Sequence, residues 1–169
     1  TTTGAAATLL TNEVTDIKVE SGTIGTVVDY GIKDASNMGA VMAPSAAKTL
    51  HKHLTELKRD INYYDIIVTG DLGKLGSNLF LKLLKEDYNY IPKNYIDAAS
   101  ILYKENQETF QGGSGPVVVP LVLFNKLLKE KQNKKILLLA TGSLHSPLMV
   151  NLKKSIPAIT HAISIEVKS

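Results

Sequence analysis

Residues 64–73 read YDIIVTGDLG. The apolar run Tyr64–Thr69 is short and rich in β-branched residues, and it stops abruptly at Gly70, Asp71, Leu72 and Gly73. Such a run predicts a strand of a parallel sheet with both faces covered, followed by a tight loop. Downstream, Leu75–Leu84 has the spacing of an amphipathic helix. Upstream, Ala46, Leu50, Leu54 and Leu57 repeat at helical intervals, and Pro44 stands where a first helical turn tolerates it. A second run of the same kind, Lys135–Ala140 (KILLLA), ends in TGSLHSP, and Ile159–Val167 closes the chain as a last strand. Strand, helix and strand in alternation predict an α/β domain with a mixed, mostly parallel sheet.

The remaining segments are placed around this frame. Ala5–Leu10 reads as a buried strand, and Ile17–Tyr30, broken at Gly22 and Gly25, as a strand pair. Asn89–Pro92 interrupts the chain, and Tyr95–Tyr103 fits either a helix start or a strand. A helix is expected over about Val118–Glu130, with Lys129–Lys135 as a basic exit that complements the helix dipole.

Composition excludes several function classes. There is no cysteine, so no disulfide, thiolate metal site or cysteine nucleophile belongs to these 169 residues. The net charge of +3 comes from 18 lysines and one arginine, Arg59, with no basic block interleaved with aromatics. That argues against a nucleic-acid partner, because arginine is the side chain that grips phosphate and guanine in a bidentate way. The longest apolar runs, Val117–Phe124 and Ile136–Ala140, fall far short of the roughly 20 residues that cross a bilayer. The opening TTTGAAATLLTNE lacks a signal-peptide core, and a start at Thr1 without methionine suggests either a processed or excised piece of a longer chain or a chain whose first residues are missing.

In open α/β sheets, ligands sit beyond the carboxyl ends of the parallel strands. Two loops fall there: Gly70–Gly73, and Thr141–Pro147 with Gly142 and His145. Asp71 has two readings, a cap for the following helix or a group lining the cleft. His145 is either a surface residue or a proton-switchable contact. A third stretch, QGGSGPVVVPLV at residues 111–122, places flexible residues directly before a buried-looking helix. The amides of Gly113, Ser114 and Gly115 could form an anion-binding concavity there. His51 and His53 are two apart on a helix and so point to different sides, which predicts solvated or half-buried rings and no metal pair; His161 is expected to be packed and hydrogen-bonded.

The stretches GTVVDYGIKDASNMGAVMAPSAAKTL, YDIIVTGDLGKLG, QGGSGPVVVPLVLFNKLL, KILLLATGSLHSP and SIPAITHAISIE resemble, in order and spacing, the C-terminal half of the stage V sporulation protein AD family. That resemblance implies a thiolase-like fold, akin to β-ketoacyl-ACP synthase III, in which two similar α/β halves enclose a cleft. It implies that residues 1–30 close the preceding half and that residues 31–169 form the second. A condensing enzyme of this class needs a cysteine, a histidine and often an asparagine. The resemblance places the histidine at Gly70–Asp71, the asparagine at Gly113–Ser114 and the cysteine in the preceding half. It therefore implies a non-enzymatic scaffold without a cofactor.

The implied ligand is dipicolinic acid, with or without calcium, and the implied role is its movement into the developing spore. Candidate ligand contacts are Gly113, Ser114, Gly115, Asp71, Asn37, Gly142 and His145. The implied partners are proteins of the spore membrane complex and either a second copy or the preceding half. The implied location is cytoplasmic, peripheral to the spore inner membrane. Two alternatives stand beside this: an acyl-transferring enzyme whose cysteine lies in the preceding half, and a structural docking subunit. The family's turn commonly reads Gly-Gly-Ser-Gly-Cys-Gly-Cys. Here Pro116, Val117 and Val118 replace its last three residues, so slim positions have become bulky and apolar. Ser143 and His145 likewise stand where apolar residues are usual.

Overall fold

A computed structural model describes residues 2–104, 106–107, 115–129 and 134–168. Its elements run β1 (Ile17–Thr23), α1 (Met38–Glu56), β2 (Ile66–Thr69), α2 (Gly73–Tyr88), β3 (Tyr95–Asp97), α3 (Ala98–Leu102), α4 (Val118–Val122), β4 (Lys134–Ser143), α5 (Pro147–Asn151) and β5 (Ala158–Val167). The five strands form one sheet in the order β1-β5-β4-β2-β3. β2 pairs parallel with both β4 and β3, whereas β5 runs antiparallel to β4 and to β1. Four strands therefore point one way and β5 opposes them, giving the mixed, mostly parallel α/β sheet expected from the alternation of apolar runs.

Side-chain alternation assigns each face of this sheet to one cluster. Ile67, Leu137, Leu139, Ala158 and Ala162 face α1 and α2, where they meet Leu50, Leu54, Phe80 and Leu84. Val68, Ile136, Leu138, Ile165 and Val167 face the other way, against Ala98 and Ala99 of α3 and Val118 and Val122 of α4. The central runs read as unbroken apolar stretches because both of their faces are covered. On β5 the residues toward α1 are small, and the helix comes close enough for Ser45 Oγ to lie 2.7 Å from Thr160 Oγ1. α1 and α2 cross at their glycines. A Cβ added to Gly39 would stand 2.4 Å from the Leu72 carbonyl oxygen and 3.0 Å from Gly76 Cα.

Several expectations are corrected. Ala5–Leu10 is no buried strand: it has no regular structure, and Leu9 and Leu10 are 91% and 78% exposed. These residues contribute no strand to the sheet. Ile17–Tyr30 supplies one strand and then a single bridge, Val28 to Ala158. Ile17–Thr23 is hydrogen-bonded along β5 as an edge strand of the sheet.

α1 starts at Met38, six residues before Pro44, which lies inside it. Asn37 caps the helix by accepting from the Ala40 amide, and burial of Val41, Met42 and Ala43 overrides the bond lost to proline. α2 ends at Asn89 in the left-handed conformation, with the Tyr90 amide donating to the Leu84 carbonyl. Tyr95–Tyr103 resolves into a short strand followed by a single helical turn. The helix expected over Val118–Glu130 is regular only to Val122 and continues as a π-helical turn, Leu123–Leu127. Glu130 lies outside the described residues. Among the described residues, no helix is long and apolar enough to cross a membrane.

Candidate functional site

The carboxyl ends of β2, β3 and β4 lie side by side, and a buried carboxylate organises the loops that leave them. Register pairs Thr69 with Asp97 across β2 and β3. Asp97 Oδ1 accepts from Thr69 Oγ1 at 2.7 Å and from the Leu72 amide at 2.9 Å, while Oδ2 accepts from the Gly73 amide at 3.0 Å. The residue is only 2% exposed. Burial pushes its carboxyl above the ordinary carboxylate range, and the bonds from Thr69, Leu72 and Gly73 act against that rise. Tyr95 stands beside it, with its hydroxyl 2.8 Å from Thr69 Oγ1 and donating to Ser77 Oγ at 3.0 Å. Burial, and then the neighbouring charge of Asp97, raise the Tyr95 phenol well above its usual value, so it remains protonated.

This geometry decides what the first loop can do. The helix that follows begins at Gly73, and Asp97 already accepts from the Leu72 and Gly73 amides at its start. The sequence offered Asp71 as the cap of this helix; Asp97 from the next strand takes that place. Nothing near Asp97 in the sequence announces this. YIDAAS looks like a strand with a cap for its own following helix, yet the Asp97 carboxylate makes its close bonds to Thr69, Leu72 and Gly73. Only the parallel register turns the carboxylate toward α2.

Asp71 is half-buried in the loop itself. The loop is wedged tightly. A Cβ on Gly70 would stand 2.7 Å from Thr141 Oγ1 of β4 and 3.1 Å from Val119 Cγ2 of α4. The start of α1 reaches the same edge, because Gly39 packs on the Leu72 carbonyl. The Asp71 loop, the Asn37 end of α1, the first turn of α4 and the Thr141–Gly142 end of β4 therefore converge.

Gly113 and Ser114 lie outside the described residues. Gly115 is placed at the start of α4 with φ +135°, and a Cβ there would meet the Thr2 backbone oxygen at 3.1 Å. Asn37 uses its side-chain oxygen to cap α1. Gly142 pairs with Ile159 inside β4, which runs to Ser143, so the second candidate loop starts three residues later than the sequence suggested. His145 is exposed beyond that strand, its amide donating to the Ser143 carbonyl. The structure thus brings Asp71, Asn37, Gly115 and Gly142 to one edge and leaves His145 on the outer arm.

Of the two histidines on α1, His51 is half-buried as expected and His53 is not. His53 is completely buried, because the small residues of β5 draw that face of α1 onto the sheet. His51 stacks on Tyr88 with ring centroids 4.3 Å apart. His161 is exposed, and its Nδ1 accepts from the Gly25 amide at 3.2 Å. Among the described residues, no group of three His, Cys, Asp or Glu side chains comes together to hold a metal ion. An open groove of about 410 Å³ runs along the outer edge of β3, between Lys74, Ser77 and Asn78 of α2 and Ser100 of α3.

Comparison with known proteins agrees with this architecture. A solved structure titled "AbyA1 - tetronic acid condensing enzyme" superposes with a TM-score of 0.55 at 14% identity, over 94% of this chain and 51% of that one. At that identity the likeness establishes the fold, which is thiolase-like. Stage V sporulation protein AD of Bacillus subtilis (strain 168) is 37% identical over 169 residues, covering 98% of this chain and 50% of that protein. The chain spans about half the length of this curated relative. The family model described as Stage V sporulation protein AD (SpoVAD) matches residues 1–166. The chain belongs to the stage V sporulation protein AD family.

Proposed function

We propose that the chain is half of a non-catalytic protein that binds dipicolinic acid and serves its uptake into the developing spore. One observation carries the reading: the loop leaving β2, where a condensing enzyme would present a histidine, presents Gly70 and Asp71, held in place by the buried carboxylate of Asp97. A carboxylate beside a developing oxyanion repels it, so this loop is built against condensation chemistry.

Dipicolinate carries two carboxylates and an aromatic ring, and such a ligand needs amide and hydroxyl donors more than it needs acid or base. The proposed donors are Gly113, Ser114 and Gly115, with Asn37, Gly142 and His145 around them. Asp71 would orient a donor or meet a calcium ion carried with the ligand. Ile17, Val19, Ile24, Val27, Leu144 and Leu148 are all exposed, which supports association with a preceding half or a second copy. Contact with spore membrane proteins, at the cytoplasmic side of the inner membrane, completes the proposal.

The test is calorimetric titration of the full-length protein with dipicolinate, alongside Ser114→Ala and Asp71→Ala variants. Heat that is saturable in the parent and weakened in Ser114→Ala supports binding at this edge. Absence of heat in the parent defeats the binding claim. Covalent loading from an acyl-CoA would favour the enzyme reading instead.

A further inference from the structure

At the far end of α1 from the candidate site, a chain of hydrogen bonds ties the edge strand β1 to the body. His53 Nδ1 lies 2.8 Å from Thr23 Oγ1, and its Nε2 lies 2.6 Å from the Tyr64 hydroxyl. Arg59 donates to that hydroxyl at 2.7 Å and to both oxygens of Glu20, at 3.1 and 2.7 Å. Glu20 sits at the irregularity in the β1–β5 ladder, between Val19 and Ser21, and also accepts from Ser164 at 2.8 Å and Tyr63 at 3.2 Å. Tyr63 is itself covered by Arg59 at 4.2 Å and by Lys135 of β4 at 4.1 Å.

The network has a definite polarity. Arg59 can only donate, so Tyr64 receives there and has a single proton to give. We assign that proton to His53 Nε2, the tautomer that puts the hydrogen of the neutral ring on Nδ1, facing Thr23. A second proton on the ring would turn Nε2 into a donor opposing the Tyr64 hydroxyl. It would also place an imidazolium beside the Arg59 guanidinium.

The charged groups around His53 are Arg59, Glu20 of β1 and Glu56 of its own helix. Burial first, then the charge of Arg59, hold the His53 pKa below that of a free imidazole, and Glu20 and Glu56 oppose this. At Glu20, burial raises the pKa, but the bonds from Ser164 and Arg59 and the charge of Arg59 leave it below the ordinary carboxylate value. Glu20 is therefore held ionised in mildly acidic solution.

Neither hydrophobic cluster contains a buried residue of β1. Ile17 and Val19 point to solvent, while Ser21 and Thr23 face inward, and the buried Ser21 Oγ has no hydrogen-bond partner. Among the described residues, the side-chain hydrogen bonds that the strand makes beyond its ladder to β5 run through Thr23 and Glu20.

We propose that His53 is a proton-sensitive latch on β1: the neutral ring fastens the edge strand, and protonation in mildly acidic solution releases Ile17–Thr23 from β5 before the rest of the sheet opens. The inference does not depend on any ligand. A group whose pKa is depressed by folding stabilises the fold fully above its unfolded value, about 6.5 for histidine. That contribution is lost as the pH falls from there toward the folded value.

The test is native-state hydrogen exchange of the 169-residue chain between pH 7.5 and 5, corrected for intrinsic rates, with β4 amides as the internal reference. Expected is a fall in β1 protection approaching about tenfold per pH unit below about pH 6.5, with β4 unchanged, and a flat profile in His53→Gln. A pH-independent β1 in the parent, or an unchanged slope in His53→Gln, overturns the proposal. If His53→Gln does not fold, Thr23→Val serves, and should lower β1 protection at pH 7.5 while sparing β4. An imidazole NMR titration of the parent adds a direct readout, and titration of His53 at or above the free-imidazole value would also overturn the latch.

Discussion

Replacing Asp97 with alanine tests the central structural claim about the candidate site. The carboxylate receives Thr69 Oγ1 and the amides of Leu72 and Gly73, all in a place that is 2% exposed. Its removal strands three buried donors, each costing about 1–3 kcal/mol when unsatisfied. Two effects reduce that total: water can enter the space left by the side chain, and the burial of a carboxyl whose pKa is raised is relieved. A net loss of about 3 kcal/mol is expected. Asp97→Asn should cost less, about 1–2 kcal/mol, because its one oxygen can still serve Thr69 and Leu72 while only the Gly73 amide faces an NH₂. The assay is urea unfolding at pH 7, with hydrogen exchange of the Leu72 and Gly73 amides as the local readout. A loss below about 1 kcal/mol in the alanine variant, with those amides still protected, would refute the view that Asp97 shapes this loop.

Other perturbations follow from the same coordinates. Gly39→Ala would drive a methyl group to 2.4 Å from the Leu72 oxygen at the α1–α2 crossing. A loss of about 2 kcal/mol is expected, seen as a Tm lowered by about 4–8 °C. Phe80→Ala empties a fully buried site between α2 and the sheet, and denaturant titration should show a loss of about 3–5 kcal/mol. Arg59→Lys removes the fork that holds both Glu20 oxygens and the Tyr64 hydroxyl. Exchange should quicken in β1 with β4 unaffected, since lysine cannot reproduce bidentate contact.

Much of the architecture was legible because β2, β4 and β5 carry their burial in their composition. A strand covered on both faces must be apolar throughout, so YDIIVT and KILLLA announce themselves. The loops after them were legible as candidate site positions for the same reason, since a parallel strand directs its carboxyl end toward the ligand edge. Asp97 was not legible, because its partners lie 24 to 28 residues away in the sequence and meet it only through strand register. The start of α1 was misplaced because local rules weigh Pro44 heavily, whereas burial of the preceding turn outweighs one missing hydrogen bond. Ala5–Leu10 misled in the opposite sense: its composition suits a strand, but a strand also needs a neighbour.

From its sequence alone this is an α/β chain whose residues carry no thiol, with loops at the ends of two parallel strands. These properties follow from which side chains are present and how they alternate. The tertiary structure alone decided that Asp97 caps the start of α2, that His53 is buried between Thr23 and Tyr64, and that β1 borders a polar seam. Each is a contact between residues distant in the chain, and hydrogen bonds of that kind leave no periodic trace for composition or spacing to reveal.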